Sequence, residues 1–262
     1  MKLEILTEKP NSVTRPAPLL FIHGMCQGAW VFKEHFMPFF VKHGYECYAM
    51  SFRGHGESEG QEKIKSFTIE DYVNDLEQVI NQLEKPPVVI SHSMGGLVIQ
   101  MYLKSHQLPA SVLIAPCPNF KFFLFFLRFT KRYFFSSMKL LITQRINYAL
   151  DTIDKCRVIL FREDTPDEIV NKFRLHVQND SLKVLMQMCF QKLANPELVK
   201  TPLLIIGGTD DFIFPVREMK AIARAYGTEA VFFQDMSHHM VLDQGWENVA
   251  EHILGWLSER GL

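Results

Sequence analysis

Ser93 lies in "VVISHSMGGL", Val88 to Leu97, directly after an apolar run and just before a glycine pair. A serine hydroxyl attacks a carbonyl only when a base takes its proton, and that base needs an acid to orient it. Two later segments carry such groups. "GGTDDFIFP" offers Asp210 and Asp211, and "DMSHHMVLDQGW" offers His238 and His239. The chain order of serine, acid and histidine fits one known arrangement of an acyl-transfer triad. Transfer of an acyl group also needs donors aimed at the developing oxyanion. The backbone N–H of Met94, next after the serine and at the start of a helical pattern, is placed for that task.

The spacing around Ser93 is that of a nucleophile elbow, G-x-S-x-G, with Ser91 in the place of the first glycine. A tight strand-to-helix turn demands small flanking residues, and Gly95 supplies one. Ser91 is read as the last strand residue, with its side chain on a sheet face. His92 leaves on another face, and His35, His43 and His106 are read as surface residues. Adjacent side chains point apart, so His238 and His239 do not form a metal site. No metal or organic cofactor is expected.

These groups need a scaffold that brings three loops together. Apolar runs at 18–22, 45–50, 87–91, 111–115, 202–207 and 230–234 alternate with helical patterns, which predicts a parallel sheet covered on both faces. Thr68 and Asp71 form a capping-box pair before apolar residues at helical spacing. Each candidate catalytic group then follows a strand at its C-terminal end, where open α/β sheets place their sites. From 118 to 195 no strand pattern is found. That stretch reads as an inserted helical cap, with the core formed by 1–117 and 196–262.

Composition bounds the remaining possibilities. The chain has 262 residues, 47% hydrophobic and 22% charged, with a formal net charge of −1. A nearly neutral chain gives no electrostatic reason to expect nucleic acid as partner. Five scattered cysteines without a CxxC pair read as reduced thiols, hence a cytoplasmic protein. No leader pattern is seen at the start. Nine of the sixteen residues from Phe120 to Phe135 are aromatic, but charges interrupt them too often for a membrane span. Phe120, Phe123 and Met186, with Met188 and Phe190, are candidates for an apolar substrate wall. Membrane contact through the cap is at most peripheral, and the oligomeric state is left open. Glu163, Asp164, Asp167 and Glu168 could hold a substrate amine, although a solvated helix start explains them as well.

Four segments together resemble the α/β-hydrolase superfamily, in its lipase, esterase and lysophospholipase-like branch: "FIHGMCQGAW", "SFRGHGESEG", the Ser93 elbow, and the paired Asp and His loops. The resemblance implies an α/β-hydrolase fold and Asp211 as the acid, in G-x-x-D-x-x-x-P. It implies His239 as the base, aligned with the histidine of S-G-H, and Met25 as the second oxyanion donor. His23 is expected to line the pocket or brace its loop. The expected activity is hydrolysis of a small-molecule carboxylic ester with an apolar acyl or alcohol group. Amide, thioester, C–C or perhydrolytic chemistry, or ligand binding without catalysis, are the alternatives.

Overall fold

The computed structural model describes the chain except for residues 13, 119–121 and 193. Among these described residues, seven strands form one sheet: β1 (Ile5–Glu8), β2 (Leu19–Ile22), β3 (Cys47–Met50), β4 (Val88–His92), β5 (Ser111–Ile114), β6 (Leu203–Gly208) and β7 (Ala230–Phe233). Their order across the sheet is β1-β3-β2-β4-β5-β6-β7. Only β1 runs antiparallel to its neighbour; the other pairs are parallel. Strands β2, β4 and β5 are buried at every position, which explains their uninterrupted apolar sequence.

Among the described residues, eleven α-helices accompany the sheet. They are α1 (Trp30–Lys33), α2 (Phe36–Lys42), α3 (Ile69–Ile80), α4 (Met94–Tyr102), α5 (Phe123–Arg132), α6 (Phe134–Thr143), α7 (Ile153–Leu160), α8 (Asp167–His176), α9 (Leu182–Phe190), α10 (Val216–Ala225) and α11 (Trp246–Ser258). The expected capping box opens α3: Thr68 Oγ1 accepts from the Asp71 amide while Asp71 accepts from the Thr68 amide at 2.9 Å. All six expected strands form, and β1 is a seventh that the sequence pattern did not reveal. Edge strand β1 is only part-buried and carries Glu8, so its apolar signal is weak. Among the described residues, every regular element between β5 and β6 is helical, α5 through α9 with two short 3-10 turns. No helix among them is long and apolar enough to cross a membrane.

Candidate active site

Strand β4 and helix α4 meet at Ser93, whose backbone sits at φ 52° and ψ −117°. A non-glycine residue in that region stores roughly 1–3 kcal/mol of strain and must be held there. Neighbouring backbone does the holding. The Ser93 amide donates to Ile114 O at 3.0 Å, and its carbonyl accepts from Gly96 and Cys117 at 2.9 Å each. The small residues have a visible cause: a Cβ on Gly95 would lie 2.7 Å from His23 O, and one on Gly96 would lie 2.6 Å from Pro116 Cβ. Ser91 stays in the sheet, donating to Val112 O at 3.1 Å, and is no part of the site.

The loop after β6 delivers the acid. Asp211 is buried, and its Oδ1 accepts from the Ile213 and Phe214 amides at 2.7 and 2.8 Å. Two backbone donors fix the carboxylate, leaving Oδ2 for an imidazole. Asp210 faces solvent, where its carboxylate accepts from the Thr209 hydroxyl at 3.2 Å.

The imidazole that arrives belongs to His238. Its Nδ1 lies 2.8 Å from Asp211 Oδ2 and its Nε2 lies 2.9 Å from Ser93 Oγ. These partners assign the tautomer: Nδ1–H donates to the carboxylate, and Nε2 accepts from the serine hydroxyl. The expectation of His239 is therefore corrected by one residue. The His239 amide donates to Leu160 O, the last carbonyl of α7, at 2.7 Å, and Ser237 Oγ lies 2.7 Å from the same oxygen. Pinned on both sides, the loop turns His238 toward Ser93 and His239 away. The His239 ring lies parallel to Phe161 at 5.4 Å and edge-on to Phe173 at 4.9 Å. Burial foremost, then the charge of His238, pushes its pKa down to about 3. Two adjacent histidines carry no mark in sequence that tells one from the other; contacts with α7 and α8 separate them.

Met94 is the first residue of α4, where the N–H has no partner within its own helix. Met25, in the loop after β2, lines the same cavity as Ser93. That loop passes so close that a Cβ on Gly24 would come 3.0 Å from Ser93 Cβ. The expected second donor, the Met25 N–H, follows directly on Gly24. His23 stands behind the loop rather than in a pocket. It is buried, with Nδ1 2.7 Å from Gly24 O and Nε2 accepting from the Phe52 amide at 3.1 Å. Burial, then His55, lowers its pKa to about 3, so it braces the loop as a neutral ring.

A second brace was not foreseen. The Cys26 amide donates to Asp180 Oδ2 at 2.8 Å, and Cys26 O accepts from the Gln178 amide at 3.1 Å. The Asp180 carboxylate also accepts from the Tyr72 hydroxyl at 3.1 Å and faces His55 Nε2 at 3.1 Å. His55 belongs to "RGHGES", which therefore supports the site from behind.

A small apolar cavity opens at Ser93 and His238. Its walls are apolar and come mostly from the helices between β5 and β6, with Phe122, Phe125, Phe129, Leu140, Leu185 and Met188 among them. Four of the expected wall residues fall elsewhere or outside the described residues. Phe123 packs against the core without lining the cavity. Met186 is 48% exposed and, with Phe190, borders a surface groove. Phe120 lies outside the described residues. Helical phase explains the first two, since neighbours on one helix point in different directions. No group of three or more metal-ligating side chains is found among the described residues.

Comparison with known proteins adds a family and a fold. A family model described as serine aminopeptidase, S33, matches residues 15–245. No curated protein matches. Among solved structures, a thermophilic esterase from Thermogutta terrifontis is 20% identical with a TM-score of 0.77, covering 99% of this chain and 94% of that one. A monoacylglycerol lipase from Paleococcus ferrophilus is 19% identical with a TM-score of 0.74, covering 99% and 100%. A bromoperoxidase from Bacillus anthracis is 18% identical with a TM-score of 0.72, covering 98% and 96%. At such identities the likeness concerns the fold.

Proposed function

The chain belongs to the serine aminopeptidase S33 family of α/β-hydrolases, and on that premise we propose that it hydrolyses carboxylic esters with an apolar acyl group. The observation that carries this reading is the hydrogen-bonded chain Ser93–His238–Asp211 at the mouth of an apolar cavity. Ser93 Oγ attacks the ester carbonyl as His238 Nε2 takes the hydroxyl proton, and Asp211 stabilises the imidazolium. The Met25 and Met94 N–H groups receive the oxyanion. When the C–O bond breaks, the imidazolium returns its proton to the leaving alcohol, and an acyl-Ser93 ester remains. Water, deprotonated by His238, attacks that ester; the acid leaves and the proton goes back to Ser93. The helices between β5 and β6 act as a cap whose inner side holds the acyl chain.

Capture of an amine, as cleavage from a peptide N-terminus requires, has less support. Among the described residues lining the cavity there is no carboxylate. Asp164 and Asp167 point to solvent, paired with Arg162 and Arg157. A charged ammonium in this cavity would be stripped of water without a counter-charge.

The test is fluorophosphonate labelling together with a series of nitrophenyl esters of increasing acyl length. Wild type should label, Ser93→Ala should not, and medium or long acyl chains should be preferred to acetate. Equal labelling of the Ser93→Ala variant would move the nucleophile elsewhere. Indifference to chain length would remove the apolar pocket from the reading.

A further inference from the structure

Helix α6 is turned the wrong way round for a helix on the surface of a globular protein. Such helices bury their apolar stripe and give water their polar side. Here Ser137 and Leu140 are buried, while Phe134, Phe135, Leu141 and Ile142 are exposed by 56, 85, 47 and 82%. With part-buried Met138 these residues fall at i, i+1, i+4, i+7 and i+8, so they form one continuous outward stripe. Leu140, on the inner side of the same helix, lines the cavity that opens at Ser93.

The charge around this stripe has one sign. From Pro118 to Leu150 the sequence holds six basic residues and no Asp or Glu, in a chain whose net charge is −1. Lys131, Arg132, Lys139 and Arg145 are exposed, and among the described residues none of the four makes an ion pair. They flank the stripe: two precede it, one sits at its edge, and one follows it. Beyond the C-terminal end of α6, a groove bordered by Gln144 runs to Met186 and Phe190 with Lys65 and Lys183, again without a carboxylate.

We propose that α6 docks this protein on an anionic lipid surface, with its Phe and Ile side chains in the acyl region and the basic residues at headgroup level. An apolar stripe rimmed by cations matches a membrane interface, where buried apolar area and attraction to anionic lipid act together. A protein partner or a second copy would have to bring a carboxylate-rich apolar surface, and the described part of this groove and stripe has none to offer. The proposal deepens the ester-hydrolase reading by naming where its substrate resides, but the docking itself does not depend on catalysis.

The experiment is co-sedimentation with vesicles of phosphatidylcholine alone and of equimolar phosphatidylcholine and phosphatidylserine, using wild type, Ser93→Ala, and a Phe135→Asp/Ile142→Asp double variant. Wild type and Ser93→Ala should both bind the anionic vesicles, bind phosphatidylcholine weakly, and release as salt is raised. The double variant should lose about tenfold or more in partition while hydrolysing a soluble butyrate ester at the wild-type rate. Should that variant fail to fold, Lys131→Glu/Arg132→Glu takes its place, with the same expected loss. Wild type left in the supernatant, or the double variant sedimenting equally, overturns the proposal. So does a wild-type dimer in solution that the double variant dissolves. Because vesicle binding and soluble-ester turnover are read separately, failure of one does not mimic failure of the other.

Discussion

The Cys26 amide donates to the Asp180 carboxylate across 154 positions of sequence, at 2.8 Å. Cys26 has φ 63°, a conformation few side chains adopt, and it follows directly on Met25. Its peptide is gripped from both ends, since Gln178 N–H also reaches Cys26 O. The helical segment between β5 and β6 therefore does more than wall the cavity. It holds the loop whose N–H is assigned to the oxyanion.

Asp180→Asn tests that grip. Asparagine keeps the shape but loses the charge facing Cys26, Tyr72 and His55, in a fully buried position. The fold should lose about 3 kcal/mol, the scale of breaking a buried, hydrogen-bonded charge. At a temperature where the variant remains folded, kcat should fall about tenfold or more with KM little changed, because oxyanion donors act mainly in the transition state. Unchanged kcat with lowered stability would make Asp180 a structural group only.

His238→Ala should lower kcat roughly 10⁶-fold, the scale seen when the histidine of a serine triad is removed. His239→Leu should keep fluorophosphonate labelling and most of the turnover, because His239 touches neither Ser93 nor Asp211. The opposite ranking would restore His239 as the base.

Asp211→Asn should cost about 10⁴-fold in kcat, through loss of the imidazole's orientation and charge partner. Asp210→Asn, at the surface, should stay within about twofold of wild type. Steady-state kinetics on one soluble ester decides both, and equal losses would leave the acid unassigned.

The buried histidines set an acid limit on stability. An unfolded imidazole titrates near 6.5, whereas burial and His238 hold His239 at about 3 in the fold. Above about pH 6.5 neither state carries the proton, and nothing is lost. As pH falls from about 6.5 toward 3, the unfolded chain takes up a proton that the fold refuses. Stability then drops by up to about 1.4 kcal/mol per pH unit for this group. His23, also lowered to about 3, adds to the slope, and so does His92, which burial holds well below its ordinary value. His239→Leu should therefore unfold in urea with a shallower pH dependence between pH 6 and 4, by about one proton's worth. Parallel curves for the two proteins would show that His239 titrates normally.

Much of this protein was legible before folding. Uninterrupted apolar runs marked β2, β4 and β5, which are buried at every position, and largely apolar runs marked β3, β6 and β7. Ser93 stood out because a strained elbow demands small residues nearby, whereas Asp211 was implied by the resemblance of its segment to G-x-x-D-x-x-x-P. Edge strand β1 was missed for the converse reason: half-exposed, it needs no such run.

Which of two adjacent histidines meets Ser93 depended on Leu160 O, 78 residues away from His238 and in another element. Which aromatic residues line the cavity depended on the phase at which α5 and α9 settle on the core. Residue type and spacing are local properties and determined the kind of chemistry. The direction of a side chain on a loop, or around a helix, comes from contacts between distant segments, and only the tertiary structure decided it.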